Sequence, residues 1–410
     1  MRNYSLNDNN KFSLAMLLMT LVIIFGTGHF GVEGMNASVF AVDYGEGFNA
    51  RGLLGSILNF VCWIFGDKCY CYSTVFIIST FFYVLYLFVL WRVAKKMINT
   101  LNKDGYAKAY IMAISPIFIT MFLSVDNYGR PDMLLMTLSL IAGYSIIKER
   151  CLFLSLLCPS IAMITHEGYI FTFYNLVIAC FIYKIAVSKG NARRINIIWL
   201  VLSILTVLGL FIWLFFLSRS LSPVSQQYYD SVIQRAELLK SNTKGAYVHY
   251  NFLDATLLGK DLYEDELEYT KEAFLHLTLF LMMLSPLLIV VVRFVKKLFF
   301  RTKLKKTMIV LCLGSLSLVP EFILKCDYGR WVFAIFAYYT LLAALLIVSG
   351  NNVIKNVFLE TMQNLSENKW FAIFLAMYMM VFLPLQTYQV STLNAGLGKN
   401  MLQFISGGIV

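Results

Sequence analysis

Apolar residues run in long unbroken blocks along this chain, separated by short polar segments; they do not alternate with polar positions. Blocks of roughly 17–25 residues are what a helix needs to cross about 30 Å of hydrocarbon. Read that way, the sequence predicts eleven spans, at about 13–31, 73–93, 107–125, 132–147, 151–165, 169–187, 195–217, 273–293, 307–324, 332–350 and 370–388. Residues 52–66 are apolar but short, and a re-entrant or interfacial helix suits them better than a crossing. The lack of period-two alternation argues against a membrane β-barrel. The expected fold class is therefore all-α, a polytopic membrane helix bundle of about 11 transmembrane helices. It forms one domain over 1–410, with a long extracytoplasmic loop or lid at 218–272. Arg2 and Lys11 precede the first apolar run with no convincing cleavage pattern after it, so that run is expected to stay as a helix.

Composition agrees with this class. Hydrophobic residues are 59% of the chain and charged residues 14%, with a mean hydropathy of +0.70. A soluble domain is about 45–50% apolar and about 25% charged. The net charge of +11 would raise nucleic acid as a partner if it formed one patch. It is instead shared among alternate loops. Arg92, Lys95, Lys96, Lys103, Lys108, Lys148, Arg150, Lys189, Arg193, Arg194 and the run Arg293 to Lys306 all fall on one side. By the positive-inside rule that side is cytoplasmic, the N-terminus with it. No nucleic acid is expected. Five cysteines (Cys62, Cys151, Cys158, Cys180, Cys312) lie in or beside apolar runs, while Cys69, Cys71 and Cys326 fall in outer loops close enough in topology for a disulfide.

With that orientation the chemistry collects on the outer side. The first outer loop holds Asp43, Glu46 and Arg51, with Gly45 and Gly47 permitting a tight turn between the acids. A carboxylate there can take a proton from a sugar hydroxyl, or merely cap the following helix. Asp126-Asn-Tyr-Gly-Arg130-Pro-Asp132 lies between two apolar runs, and Asp327-Tyr-Gly-Arg330-Trp331 repeats its logic. Arg130 and Arg330 suit phosphate oxygens, since a guanidinium binds them two at a time and keeps its charge at low dielectric. The plain alternative is a set of Asp–Arg salt bridges stitching outer loops. Asp132 stands early in a helix, where its charge favours the dipole. Glu321 beside Pro320 is an ionisable group near the end of an apolar run. His166-Glu167 forms a tight outer turn with base or hydrogen-bonding capacity, but too few ligands for a metal, so no metal and no cofactor is expected. The long loop carries tyrosines, amides and His249 that suit sugar rings, and Ser231 to Lys240 reads as a short amphipathic helix. A phosphate-binding Walker sequence and a serine-nucleophile elbow are both missing.

Span number, the long outer loop between spans seven and eight, the first-loop acids Asp43 and Glu46, and the outer arginines Arg51, Arg130 and Arg330 together resemble the Wzy-type O-antigen and capsule polymerases. More loosely, the chain resembles the GT-C glycosyltransferases. The resemblance covers the whole chain by architecture, although the first-loop acids stand apart where a doublet is common. It implies an undecaprenyl-pyrophosphate-linked glycan as donor and acceptor, and metal-independent inverting transfer outside the plasma (inner) membrane of a bacterium. Membrane lipids and a chain-length regulator protein would be its partners. It also implies that Asp43, Glu46, Glu167 and His166 serve proton transfer, while Arg51, Asp126, Arg130, Asp132, His249, Asp327 and Arg330 hold substrate. A lipid-linked oligosaccharide flippase or other transporter would use the same charges without making a bond.

Overall fold

The computed structural model describes residues 2–27, 31–32, 34–45, 47, 51–101, 104–123, 128–217, 224–239, 253, 257, 270–302, 304–324, 328–373, 375, 385–387 and 393–395. Among them the chain is helical except for a three-residue antiparallel ladder, in which Leu385 faces Ala395 and Thr387 faces Leu393. The helices are α1 (Arg2–Thr27), α2 (Gly34–Val39), α3 (Leu53–Phe65), α4 (Tyr72–Thr100), α5 (Asp104–Thr120), α6 (Asp132–Lys148), α7 (Leu154–Thr165), α8 (Tyr169–Thr172), α9 (Tyr174–Val187) and α10 (Gly190–Ile212). After a π turn over Trp213–Leu217 come α11 (Gln226–Leu239), α12 (Thr270–Arg301), α13 (Lys305–Leu313), α14 (Val319–Leu324), α15 (Tyr328–Val348) and α16 (Asn352–Ser366).

Three helices among the described residues are long and apolar enough to cross a membrane: Tyr72–Thr100, Gly190–Ile212 and Arg330–Val348. They sit in different surroundings. The apolar window of α15 is 89% buried, whereas those of α4 and α10 are 22% and 17% buried. α6 is buried on nearly every face, from Met133 to Ile147. A helix apolar all round belongs in the centre of a bundle, so α6 and α15 form the middle and α4 and α10 the outside. Large apolar side chains stay uncovered on the outer helices: Phe25 on α1, Phe88 on α4 and Leu205 on α10 are all more than half exposed. Exposed apolar area on this scale marks a surface made for lipid or a partner.

Several expected spans take a different form. α7 and α9, with 12 and 14 residues, reach only about 18–21 Å at 1.5 Å per residue, and Phe173 breaks the expected 169–187 span into α8 and α9. The expected 307–324 span is α13, a tight 3₁₀ turn over Gly314–Leu318, and α14. The break has a cause on the neighbouring helix. Tyr338 and Tyr339 of α15 donate hydroxyl hydrogen bonds to the carbonyls of Leu311 and Cys312, at 2.6 and 2.5 Å, and Ser317 donates to Phe171 at 2.8 Å. Irregular backbone inside a bundle is tolerated where side chains satisfy it in this way. The expected 370–388 span does not run through as one helix, because residues 385–387 pair as a strand. α3 is a 13-residue helix, about 20 Å long, with Leu54, Leu58 and Cys62 inward and Trp63 and Phe65 outward. A short helix was expected at 52–66 from its length; its two-faced packing is seen only in the structure.

The bundle has two chemically different ends. At one, Lys148 donates to the Val348 carbonyl at 2.5 Å, Lys184 pairs with Glu149 at 2.9 Å, and Lys297 and Arg301 both reach Glu360 at 3.3 Å. The C-terminal ends of α6, α9 and α15 therefore meet there. Their N-terminal ends meet at the other, together with the loop before α3 and the turn between α7 and α8.

Candidate functional site

The second end is organised around the backbone from Phe40 to Gly45. α3 packs directly on this segment, because Gly55 has no side chain. A Cβ there would sit 2.0 Å from the Val42 carbonyl oxygen, a distance no atom pair tolerates. The same loop is tied to the turn before α6, where the Asn36 amide donates to the Tyr128 carbonyl at 3.0 Å. Gly129 follows in the left-handed region at φ +87°, against Val32 and Ser79, which is the conformation expected of the Tyr-Gly turn.

Asp43 lies in this frame with a side chain only 8% exposed. Its carboxylate is saturated. Oδ1 accepts the Gly45 amide at 3.0 Å and the Tyr228 hydroxyl at 2.9 Å. Oδ2 accepts the Asn59 amide and the Arg235 guanidinium. The Tyr228 hydroxyl also lies 2.7 Å from the Asp43 carbonyl oxygen and accepts the Asp43 amide at 3.2 Å. Burial alone would raise this acid. The hydrogen bonds from Arg235, Gly45 and Tyr228 and the positive charge of Arg235 prevail, holding it below its usual range. Burial would lower Arg235, but the bond and charge of Asp43 carry it above its ordinary value. Tyr228 is pushed up to about 12, by burial first and by the neighbouring carboxylate second.

Two of the partners of Asp43, Tyr228 and Arg235, come from α11, the amphipathic helix of the long loop. Tyr228, Val232, Ala236 and Leu239 are its buried stripe. Arg235, seven residues after Tyr228, falls on the same side, and its guanidinium lies 5.5 Å from the Tyr228 ring centre. The helix runs Gln226–Leu239, close to the predicted Ser231 to Lys240 but longer at the front. The tyrosines of this segment suit sugar rings by sequence, whereas Arg235 and Asn59 are not apparent there as partners of Asp43. The signal available was the spacing between Tyr228 and Arg235, two turns on one face.

Arg51 points the other way, into the turn between α7 and α8. Its Nε lies 3.0 and 3.2 Å from the two Glu167 oxygens, with Nη2 at 2.5 Å, and both side chains are 13% exposed. Arg51 sits at φ +63°, a conformation a side-chain-bearing residue holds only when its surroundings fix it. His166 accepts the Gly168 amide on Nδ1 at 3.0 Å, which describes a neutral ring with its proton on Nε2. Glu321 is close by: its Oε1 lies 3.5 Å from where a Gly168 Cβ would be. The Tyr44 hydroxyl donates to the Ile164 carbonyl at 3.1 Å and joins this turn to the Asp43 loop.

The two Tyr-Gly-Arg stretches also meet, although the second does not repeat the first as a loop turn: Tyr328, Gly329 and Arg330 are already the first turn of α15. Arg330 lies 3.4 Å from Asp132, both about one-seventh exposed, and stacks 4.9 Å from the Trp331 ring centre. The pair links the second stretch to the first, rather than closing within either. Arg130, two positions before Asp132, is buried. Glu46, Asp126, His249 and Asp327 lie outside the described residues, as does Cys326; Cys69 and Cys71 carry free thiols.

One end of a mainly helical protein, with helices long and apolar enough for a membrane, thus holds three carboxylate–arginine pairs from five chain segments: Asp43–Arg235, Glu167–Arg51 and Asp132–Arg330. Comparison with protein-family models, curated proteins and solved structures returns no match.

Proposed function

We propose that this chain is a polytopic membrane glycosyltransferase, of the polymerase type, acting on a polyprenyl-pyrophosphate-linked glycan in surface polysaccharide assembly. In this reading the α7, α9 and α13–α14 segments join α4, α10 and α15 as passes of one bundle, and the carboxylate–arginine end faces away from the cytoplasm. The observation that carries the reading is the Asp43–Arg235 pair under α11. It puts an arginine of α11 on a buried carboxylate at the end opposite the lysine-rich loops.

The chemistry follows from charge exchange. A general base works best with a pKa near the operating pH, and Asp43 is held below its usual range while Arg235 is bound. A diphosphate offers Arg235, Arg51 and Arg330 a second anion with more oxygen acceptors than a carboxylate. When Arg235 moves to phosphate, Asp43 loses its strongest anion-stabilising partner and gains basicity. It then takes the proton of the acceptor hydroxyl as that oxygen bonds to the anomeric carbon. The carbon–oxygen bond to the diphosphate breaks, its electron pair leaves with the lipid diphosphate, and the arginines stabilise the charge that develops there. Glu167 and His166 hold Arg51 and the turn in place.

The test is the lipid-linked glycan profile of cells lacking the chain, complemented with wild type or Asp43→Asn. A polymerase predicts single repeat units in the deletion and the Asp43→Asn strain, with polymer restored only by wild type. Complete units trapped on the inner leaflet would identify a flippase instead, and an unchanged profile would remove both readings.

A further inference from the structure

The lysine-rich end contains a cavity that the proposed reaction does not use. It has a volume of about 490 Å³ and opens between α4, α6 and the turn into α7. Arg92, Lys95, Lys96 and Arg150 line it on the polar side, Leu140 and Leu154 on the apolar side. Among the described residues no carboxylate forms an ion pair with any of the four cations. The acid next to Arg150 in sequence, Glu149, is turned away onto Lys184 at 2.9 Å, with Asn196 and Ser188 beside it at 3.4 Å. Four like charges gathered around one hollow repel one another, and an anion placed among them relieves that repulsion.

The turn that presents Arg150 is held under strain. Glu149 and Cys151, on either side of it, both have φ +50°, a left-handed conformation that non-glycine residues hold only where their surroundings fix it. The Ser145 hydroxyl fixes the turn from inside the cavity wall by donating to the Cys151 carbonyl at 2.8 Å. Arg92, Lys96 and Asn99 share one face of α4, at spacings of four and three residues. Beside the cavity the surface changes to apolar: Phe88 and Phe153 are each 56% exposed. A cationic hollow that opens onto an exposed apolar flank matches a molecule with an anionic head and a hydrocarbon tail. A freely soluble anion has no use for that flank.

We propose that this cavity binds the phosphate headgroup of an anionic membrane phospholipid, with its acyl chains lying along the apolar flank beside Phe88 and Phe153. The site is distinct from the carboxylate–arginine end and does not depend on the reaction proposed there. Each basic residue near an anionic lipid surface contributes on the order of 1 kcal/mol to binding.

The experiment is native mass spectrometry of the full chain in a neutral maltoside detergent, titrated with phosphatidylglycerol, with phosphatidylcholine of the same chains, and with inorganic phosphate. Three proteins are compared: wild type, R92Q/K96Q/R150Q, and K296Q/K305Q/K306Q, which loses the same charge elsewhere on that end. Wild type and the remote variant are expected to retain phosphatidylglycerol, and the cavity variant to bind it at least about tenfold more weakly. Phosphatidylcholine is expected not to bind. Arg150→Gln alone, an exposed change, is expected to lose severalfold, and serves as the test if the triple variant loses its helicity. Equal retention by cavity and remote variants, equal loss in both, or equal binding of the two lipids would overturn the proposal. Displacement of phosphatidylglycerol by millimolar inorganic phosphate would assign the cavity to a soluble anion and overturn it too.

Discussion

Asp43 and Arg235 stand 192 residues apart in the chain and meet in a partly buried ion pair. Groups in direct contact couple by about 0.5–3 kcal/mol in a double-mutant cycle. Thermal unfolding of Asp43→Asn, Arg235→Gln and the double variant is expected to give a coupling in that range, and purely additive losses would show that the pair contributes nothing. The pH dependence has a definite sign. Asp43 is depressed in the folded chain, so its contribution is complete above the free aspartate value of about 3.9 and is lost as pH falls toward the lower folded value. The wild-type melting temperature should therefore drop more steeply below about pH 4 than that of Asp43→Asn. The Arg51–Glu167 pair is also largely enclosed, with both side chains 13% exposed, and removing one partner of a buried pair strands the other charge. Glu167→Ala is expected to cost roughly 3–5 kcal/mol, and Arg51→Ala/Glu167→Ala less than the sum of its parts, by denaturant titration in detergent.

At the scale of elements, α3 depends on a close backbone approach. Gly55→Ala would place a methyl group 2.0 Å from the Val42 carbonyl oxygen, and backbone cannot swing aside as a side chain can. That variant is expected to displace α3, expose Asp43 and, on the proposed function, abolish product formation. Retained product with an unchanged melting temperature would mean that α3 is not seated on this loop. α3 was legible in the sequence by its length and α11 by its amphipathic pattern, both of which are local. The first Tyr-Gly-Arg turn was legible because glycine, proline and aspartate mark a helix start by themselves; the second lacks the proline, and there α15 is already helical from Tyr328. The break at Gly314–Leu318 was not legible, since its cause is two tyrosine hydroxyls on α15 that claim carbonyls of α13. A run of apolar residues looks the same whether its helix continues or its carbonyls are taken by a neighbour. The ion-pair partners were hidden for a similar reason. Asp–Arg bridges stitching outer loops were the plain alternative for Arg330, but that its partner is Asp132 depends on how α6 and α15 pack.

Across the whole molecule, alternate loop charge and the packed structure describe the same polarity by independent routes. Lys148, Lys184, Arg150 and Lys297 gather at one end and the three carboxylate–arginine pairs at the other. Every functional assignment made for the second end requires it to face away from the cytoplasm. The native thiols report on this directly. Cys71 is half-buried at the start of α4, beside the carboxylate–arginine end, and its thiol is held below the usual range by hydrogen bonds with Thr74, which favours the reactive thiolate. Cys151 is exposed at the lysine-rich end. Variants that keep only Cys71 or only Cys151 are treated in intact cells with a membrane-impermeant maleimide. The predicted result is labelling of Cys71 without permeabilisation and of Cys151 only after it; the reverse pattern would place the arginine-bearing turns in the cytoplasm and contradict the proposed site.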